Sequence, residues 1–295
     1  MRKQTTESLC LSLAMTLAWG CGEDVEKATP GGTADKCNIA ADCVARGGSA
    51  SSVCNAGVCE DPVWGCIGEA DDRPAAGATA TFRVGLNDLT APFQGTVGAR
   101  ACNATSEDPL CAQPIPGTTA SYDPSQGLIT VNGLPADKRF RLAVEPSGAF
   151  MPIDFYPQRT PRGETVEKIA LSTLSTSLLQ TLGSSYNPPI VPDPQTTHVM
   201  ALVLDCEGEL ASGVTLELEE GSRSPDTRIM YLGSNTLPDP TLMQTSAIGS
   251  AVAINVPVGQ PIRVKARLGT KDLQSSEVYG VAGHLTAVTF YPRKY

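Results

Sequence analysis

The sequence predicts an all-β protein: two antiparallel β-sandwich domains behind a small disulfide-rich module, with one short connecting helix. Three observations carry this. Short apolar runs alternate with polar residues at period two, as in Ala78, Ala80, Phe82 and Val84 against Thr79, Thr81 and Arg83, which describes strands buried on one face. The 295 residues include 28 Gly and 23 Pro with only 18% charged residues, a loop-rich composition. Ten cysteines are present, five of them between Cys37 and Cys66. The expected division is 1–20 export segment, 21–36 tether, 37–66 cysteine-rich module, 67–163 first sandwich, 164–194 helix and Pro-rich linker, and 195–295 second sandwich.

Arg2 and Lys3 open the chain, and Leu9 to Gly20 is apolar or small throughout most of its length. That is the length of a signal-peptide core and too short for a membrane-spanning helix. Leu17-Ala18-Trp19-Gly20-Cys21 resembles the lipobox of bacterial lipoproteins, in which the cysteine is lipidated and becomes the first residue. The resemblance implies a lipid anchor on Cys21 as the membrane partner. Trp19 and Ala18 depart from the family pattern, and Ala18-x-Gly20 also suits ordinary signal peptidase, which would release a secreted protein. Gly22 in place of Asp removes the inner-membrane retention signal and points to the outer membrane or cell surface. Several acyl chains on one residue make a stable anchor, at about 0.8 kcal/mol per buried methylene.

The net charge is −9. Loss of Arg2, Lys3 and Glu7 with the export segment leaves −10 and argues against nucleic acid as a partner. Gly22 to Lys36 is polar and carries Pro30-Gly31-Gly32, the composition of a flexible tether. Once Cys10 leaves with the export segment and Cys21 is set aside for lipid, eight cysteines remain: Cys37, Cys43, Cys54, Cys59, Cys66, Cys102, Cys111 and Cys206. An even count in an oxidising compartment predicts four disulfides. Between Cys43 and Cys54 the residues Ala45 to Ser52 offer no core, so covalent staples must replace packing. Zinc is the rival, but only Cys54 and Cys59 approach ligand spacing, with no histidine nearby. The segment resembles the Dickkopf- or EGF-like cysteine-rich modules of surface lipoproteins. That resemblance implies Cys37–Cys54 and Cys43–Cys59 pairing.

In the first β region, Val97, Ala99 and Ala101 alternate weakly. Asp123 to Gly127 is a turn delivering Leu128 to Val131. A strong strand follows, with Phe140, Leu142 and Val144 inward and Arg139 and Arg141 outward, then Met151, Ile153 and Phe155. Cys102 and Cys111 bracket a polar loop and are read as stapling it, which leaves Cys66 for Cys206. Glu107-Asp108 in that loop is too sparse for calcium. Leu171, Leu174, Leu178, Leu179 and Leu182 follow a helical period, with Ser172 as N-cap and Gly183 as stop. The polar face of that helix offers Ser, Thr and Gln rather than membrane-seeking cations. Asn187 to Pro194 is a stiff Pro-rich linker.

The second β region opens on Val199 to Leu204, apolar on both faces and therefore a central strand. Val214, Leu216 and Leu218 alternate with Thr215, Glu217 and Glu219, while Ile262, Val264 and Ala266 oppose Arg263, Lys265 and Arg267. Val203-Leu204-Asp205-Cys206-Glu207-Gly208, Gly213-Val214, and Asn255-Val256-Pro257-Val258-Gly259 resemble the turn chemistry of carboxypeptidase regulatory-like domains. The resemblance covers Thr196 to Tyr295 and implies a transthyretin-like (prealbumin-like) sandwich, with no function attached. Asn132-Gly133-Leu134-Pro135 and Phe155-Tyr156-Pro157 echo Asn255-Val256-Pro257 and Phe290-Tyr291-Pro292, so the first region is read as a divergent copy.

No catalytic constellation is visible. The two histidines, His198 and His284, stand at predicted strand starts, and no Gly-x-Ser-x-Gly elbow accompanies them. The hydroxyisourate hydrolase C-terminal signature and the iron-binding Tyr and His set of intradiol dioxygenases are both missing. No phosphate-binding glycine loop appears. With 5% aromatic residues a sugar-stacking platform is poorly supported, Trp64, Tyr231 and Tyr279 being the aromatics that remain for one. The expected function is a lipid-anchored, non-enzymatic binding protein of the bacterial envelope without cofactors, its partner an envelope protein or glycan. An architectural spacer and an enzyme with a loop-built site from 102–111 and 221–245 are the alternatives.

Overall fold

The computed structural model describes residues 37–38, 40–45, 52–55, 58–71, 73, 77–88, 91–105 and 108–294. The export segment, Cys21 and the tether lie outside the described residues. The N-terminal module holds a short helix α1 (Ala40–Ala45) and a hairpin of β1 (Val53–Asn55) and β2 (Val58–Glu60). That helix is a correction, since only one helix was expected. Disulfides join Cys37 to Cys54 and Cys43 to Cys59 across it. The sulfurs of Cys37, Cys43 and Cys59 lie within 4.8 Å of one another, a metal-like grouping in which every thiol is already bonded to another.

The rest is built from sheets packed as sandwiches. The first region runs β3 (Thr79–Asp88), β4 (Ala91–Pro92), β5 (Val97–Asn103), β6 (Thr119–Asp123), β7 (Leu128–Pro135), β8 (Phe140–Pro146), β9 (Ile153–Tyr156) and β10 (Glu164–Ser172). After α2 (Thr176–Gly183) the second runs β11 (Thr197–Val203), β12 (Val214–Leu218), β13 (Arg228–Tyr231), β14 (Ser250–Val256), β15 (Pro261–Leu268), β16 (Lys271–Tyr279) and β17 (Leu285–Phe290). Leaving the two-residue β4 aside, the regions share one topology. The order β10-β3-β7-β6 matches β17-β11-β14-β13, and β9-β8-β5 matches β16-β15-β12. In both, the first and last strands pair in parallel while the rest pair antiparallel.

The regions are also joined edge to edge. β17 pairs in parallel with β9, Leu285 opposite Ile153, which merges the four strands of the second region and three of the first into one seven-stranded sheet. Both faces of that sheet are covered around β11, β14 and β17, whose residues are all buried. One face carries Met200, Leu202, Met230, Val252 and Ile254 into the same core as Phe82, Phe140 and Phe155. The other carries Val199, Ala201, Ala253, Val288 and Phe290 against Leu216, Ile262 and Val264 of the three-stranded sheet. Phe82 meets Phe140 edge-on at 5.0 Å between ring centroids, a geometry the ring quadrupoles favour.

Two local expectations are corrected. Leu171 belongs to β10, whose alternation buries Thr165, Glu167, Ile169 and Leu171, so the helix begins later. Ser175, not Ser172, caps it by accepting the Leu178 N–H at 3.1 Å. Gly183 ends it where the Ile190 carbonyl would lie 2.3 Å from any Cβ, so only glycine fits. Arg141, expected to point outward, is fully buried. Its partners explain this below.

The segment after the module is docked to the second region. Cys66 is bonded to Cys206, 140 residues later. Trp64 lies in the second core, and Gly68 N–H donates to the Pro292 carbonyl at 2.9 Å.

Candidate functional site

Three places gather chemistry, and the first contains His284. Arg141 on β8 and Asp154 on β9 leave the sheet beside one another, with Ala143 opposite Asp154 in the register. Arg141 places Nη1 3.5 Å from the Asp154 carboxylate and donates to the carbonyls of Pro109 and Asp108, both at 2.6 Å. Those carbonyls belong to the loop that the Cys102–Cys111 disulfide closes. The Asp108 carboxylate in turn accepts the N–H groups of Ala112 and Gln113 at 2.7 Å. These backbone donors hold its pKa below the usual carboxylate range. A buried guanidinium must be paired or it would leave the interior. The stapled loop supplies that pairing, which is why Arg141 points inward.

The other Asp154 oxygen lies 2.8 Å from His284 Nδ1. Tyr156 stands on the same face, its hydroxyl donating to the Tyr279 carbonyl at 2.9 Å, and burial pushes its pKa up to about 12. His198 N–H donates to the His284 carbonyl at 3.1 Å, so the two histidines are backbone neighbours. Their rings reach different partners: His198 Nδ1 accepts the Asn255 N–H at 3.4 Å. Burial pushes its pKa down to about 4, with Asp193 opposing that shift. Neither imidazole is hydrogen-bonded to a Ser, Thr or Cys side chain among the described residues.

The second place is a buried polar knot at the start and end of the fold. The Tyr291 hydroxyl donates to Glu167, and the Arg159 guanidinium lies 4.7 Å from the Tyr291 ring centroid. Gln158 accepts the Tyr291 N–H at 2.6 Å. Burial raises the Glu167 pKa, partly offset by the Tyr291 hydroxyl and the arginines. Nearby, Asp71 binds Arg73 and Arg162. These bonds close the fold on itself rather than opening towards a ligand.

The third place is a cavity of about 290 Å³ beneath α2. Its floor is Met200, Leu202, Met230 and Val252 of the seven-stranded sheet. Its walls come from Leu178 and Leu182 of the helix and from the 232–249 connection. No charged residue lines it, and its polar groups are the hydroxyls of Ser172, Thr236 and Ser250. Leu210 and Leu237 line it while 39% and 52% exposed, so they form its mouth. The sequence flagged the helix leucines, but nothing in it showed that they would face a void rather than a sealed core.

No family model matches this sequence, and no curated protein matches it. Solved structures that align with it include CBMbc, a CBM26-family domain from Eubacterium rectale Amy13K in complex with maltoheptaose. That alignment has 14% identity over 72% of this chain and 93% of the other, with a TM-score of 0.21. Domains 5–6 of the S-layer protein SbsC align at 14% identity over 75% of this chain and 94% of theirs, with a TM-score of 0.18. Likeness at that level transfers neither fold detail nor ligand. No helix among the described residues is long and apolar enough to cross a membrane.

Proposed function

We propose that this chain is a non-enzymatic binding protein of a bacterial envelope, tethered outside the cytoplasm through lipid on Cys21. The distribution of the cysteines carries the reading. The eight from Cys37 to Cys206 all lie in disulfides. The other two are Cys10, inside the export segment, and Cys21, at the lipobox position. Four disulfides suit an oxidising compartment. The closed His284–Asp154–Arg141 cluster supports a binding role over a catalytic one, because its carboxylate is already committed to two cations or donors. Fractionation of cells expressing wild-type protein and Cys21→Ser tests the tether. Wild type is expected with the membranes and the variant in the soluble fraction; a variant that stays on the membrane would overturn it.

A further inference from the structure

The cavity beneath α2 sets one face of the seven-stranded sheet apart from the other. The opposite face of β11, β14 and β17 is closed by the sheet of β12, β15 and β16; here an eight-residue helix and an 18-residue connection do so. Connections beyond about 12–15 residues are uncommon in compact domains and tend to be functional. This one is tied down beyond its tip, where Asp239 N–H donates to the Tyr231 carbonyl at 3.0 Å and Thr245 N–H to the Val214 carbonyl at 2.8 Å. Its tip, 234–237, is exposed. Thr236, at that tip and in the cavity lining, has φ +64°, a conformation that β-branched residues seldom adopt.

The chemistry of the lining selects the ligand. A dry apolar cavity of about 150 Å³ accommodates a benzene ring, so 290 Å³ holds roughly twice that, or about ten carbons. Leucine and methionine side chains without an aromatic ring suit a slender flexible chain better than a flat one. A charged head could not enter, because no lining residue would pair with it. Lys168, two residues before the lining residue Ala170 on β10, is not part of the lining, and its ammonium is held by the Glu207 carbonyl and Glu209, both at 2.8 Å.

We propose that this cavity binds one unbranched alkyl chain of about ten carbons, carried by a free single-chain amphiphile whose uncharged head stays at the Leu210–Leu237 mouth. This deepens the binding role proposed above by naming a ligand class. The test is a calorimetric titration of 1-decanol into the full chain carrying Cys21→Ser, the soluble form expected above and taken as the reference for the further variants, purified without detergent, with circular dichroism on each variant. The reference is expected to bind one decanol saturably. Leu182→Trp, which fills the cavity from the helix, is expected to weaken binding at least about tenfold. Leu237→Lys, at the exposed mouth, gives a second reading if the first variant fails to fold, with a loss of at least about threefold. Leu178→Ala is expected to move the preferred chain length upward across an octanol, decanol and dodecanol series. No saturable binding by the reference, or equal binding by a folded Leu182→Trp or Leu237→Lys, would overturn the proposal. Such a failure leaves the tether reading standing, since that depends on where Cys21→Ser partitions.

Discussion

The two β regions share a strand order and differ in what covers the face each turns away from its own partner sheet. In the first, the outer face of β8 and β9 carries Arg141, Asp154 and Tyr156, and the stapled 102–111 loop seals it with backbone carbonyls. In the second, the outer face of β11, β13 and β14 carries Met200, Leu202, Met230 and Val252, and α2 with the 232–249 connection covers it loosely enough to leave a cavity. One topology thus supports a polar seal that pairs both terminal nitrogens of a buried guanidinium and an apolar cover that leaves space. A buried charge needs its partners, because an unpaired ion costs several kcal/mol. A gap among apolar side chains costs only lost contacts, and a ligand can restore those.

This difference can be tested by breaking each side. The largest effect is expected where the chain is closed over the longest distance. Replacing Cys66 and Cys206 together by Ala should cost about 5 kcal/mol, against about 2–3 for Cys102 and Cys111, because a loop of 140 residues loses more entropy on closure than one of nine. Urea midpoints of the two double variants check the order. Next comes Arg141→Met, which leaves Asp154 with His284 alone, strands two carbonyls in the polar seal and should cost about 3–5 kcal/mol.

A pH effect follows from His198, in the second region. Its folded pKa of about 4 lies below the unfolded value of about 6.5, so the unfolded chain takes up the proton first. Its contribution to stability is present above pH 6.5 and drains away as pH falls towards 4, by on the order of 3 kcal/mol. His198→Asn should flatten the difference between denaturation midpoints at pH 7 and pH 4.5. The smallest effect is expected at the cavity. Leu178 is only half-buried and already borders a void, so Leu178→Ala should cost about 1 kcal/mol, below the 2–5 typical of a sealed leucine.

Much of the fold was legible. The alternation of Ala80, Phe82 and Val84 marks a one-sided strand, and the two apolar faces of Val199 to Leu204 mark a central one. β16 was not legible, because Lys271, Asp272, Gln274, Ser275 and Glu277 dilute the pattern of Leu273 and Val278. The parallel joint of β17 to β9 was not legible either, since periodicity gives a strand's faces and not its neighbour. Leu171 and Leu174 fit a helical count by coincidence: one ends a strand and the other lies in the turn before Ser175. Arg141 was misread because its pairing is supplied by carbonyls thirty-odd residues away, which no local pattern encodes. The cavity is the least legible feature of all. Its lining residues look like core in sequence, and only the helix placement keeps them apart.

Xenon tests the contrast most directly, because it enters dry apolar space without needing a head group or a partner. In crystals of the protein under xenon pressure, gas is expected between α2 and the Met200, Leu202 and Met230 floor, and none among Phe82, Phe140 and Phe155. An empty cavity, or xenon bound equally among Phe82, Phe140 and Phe155, would contradict the account.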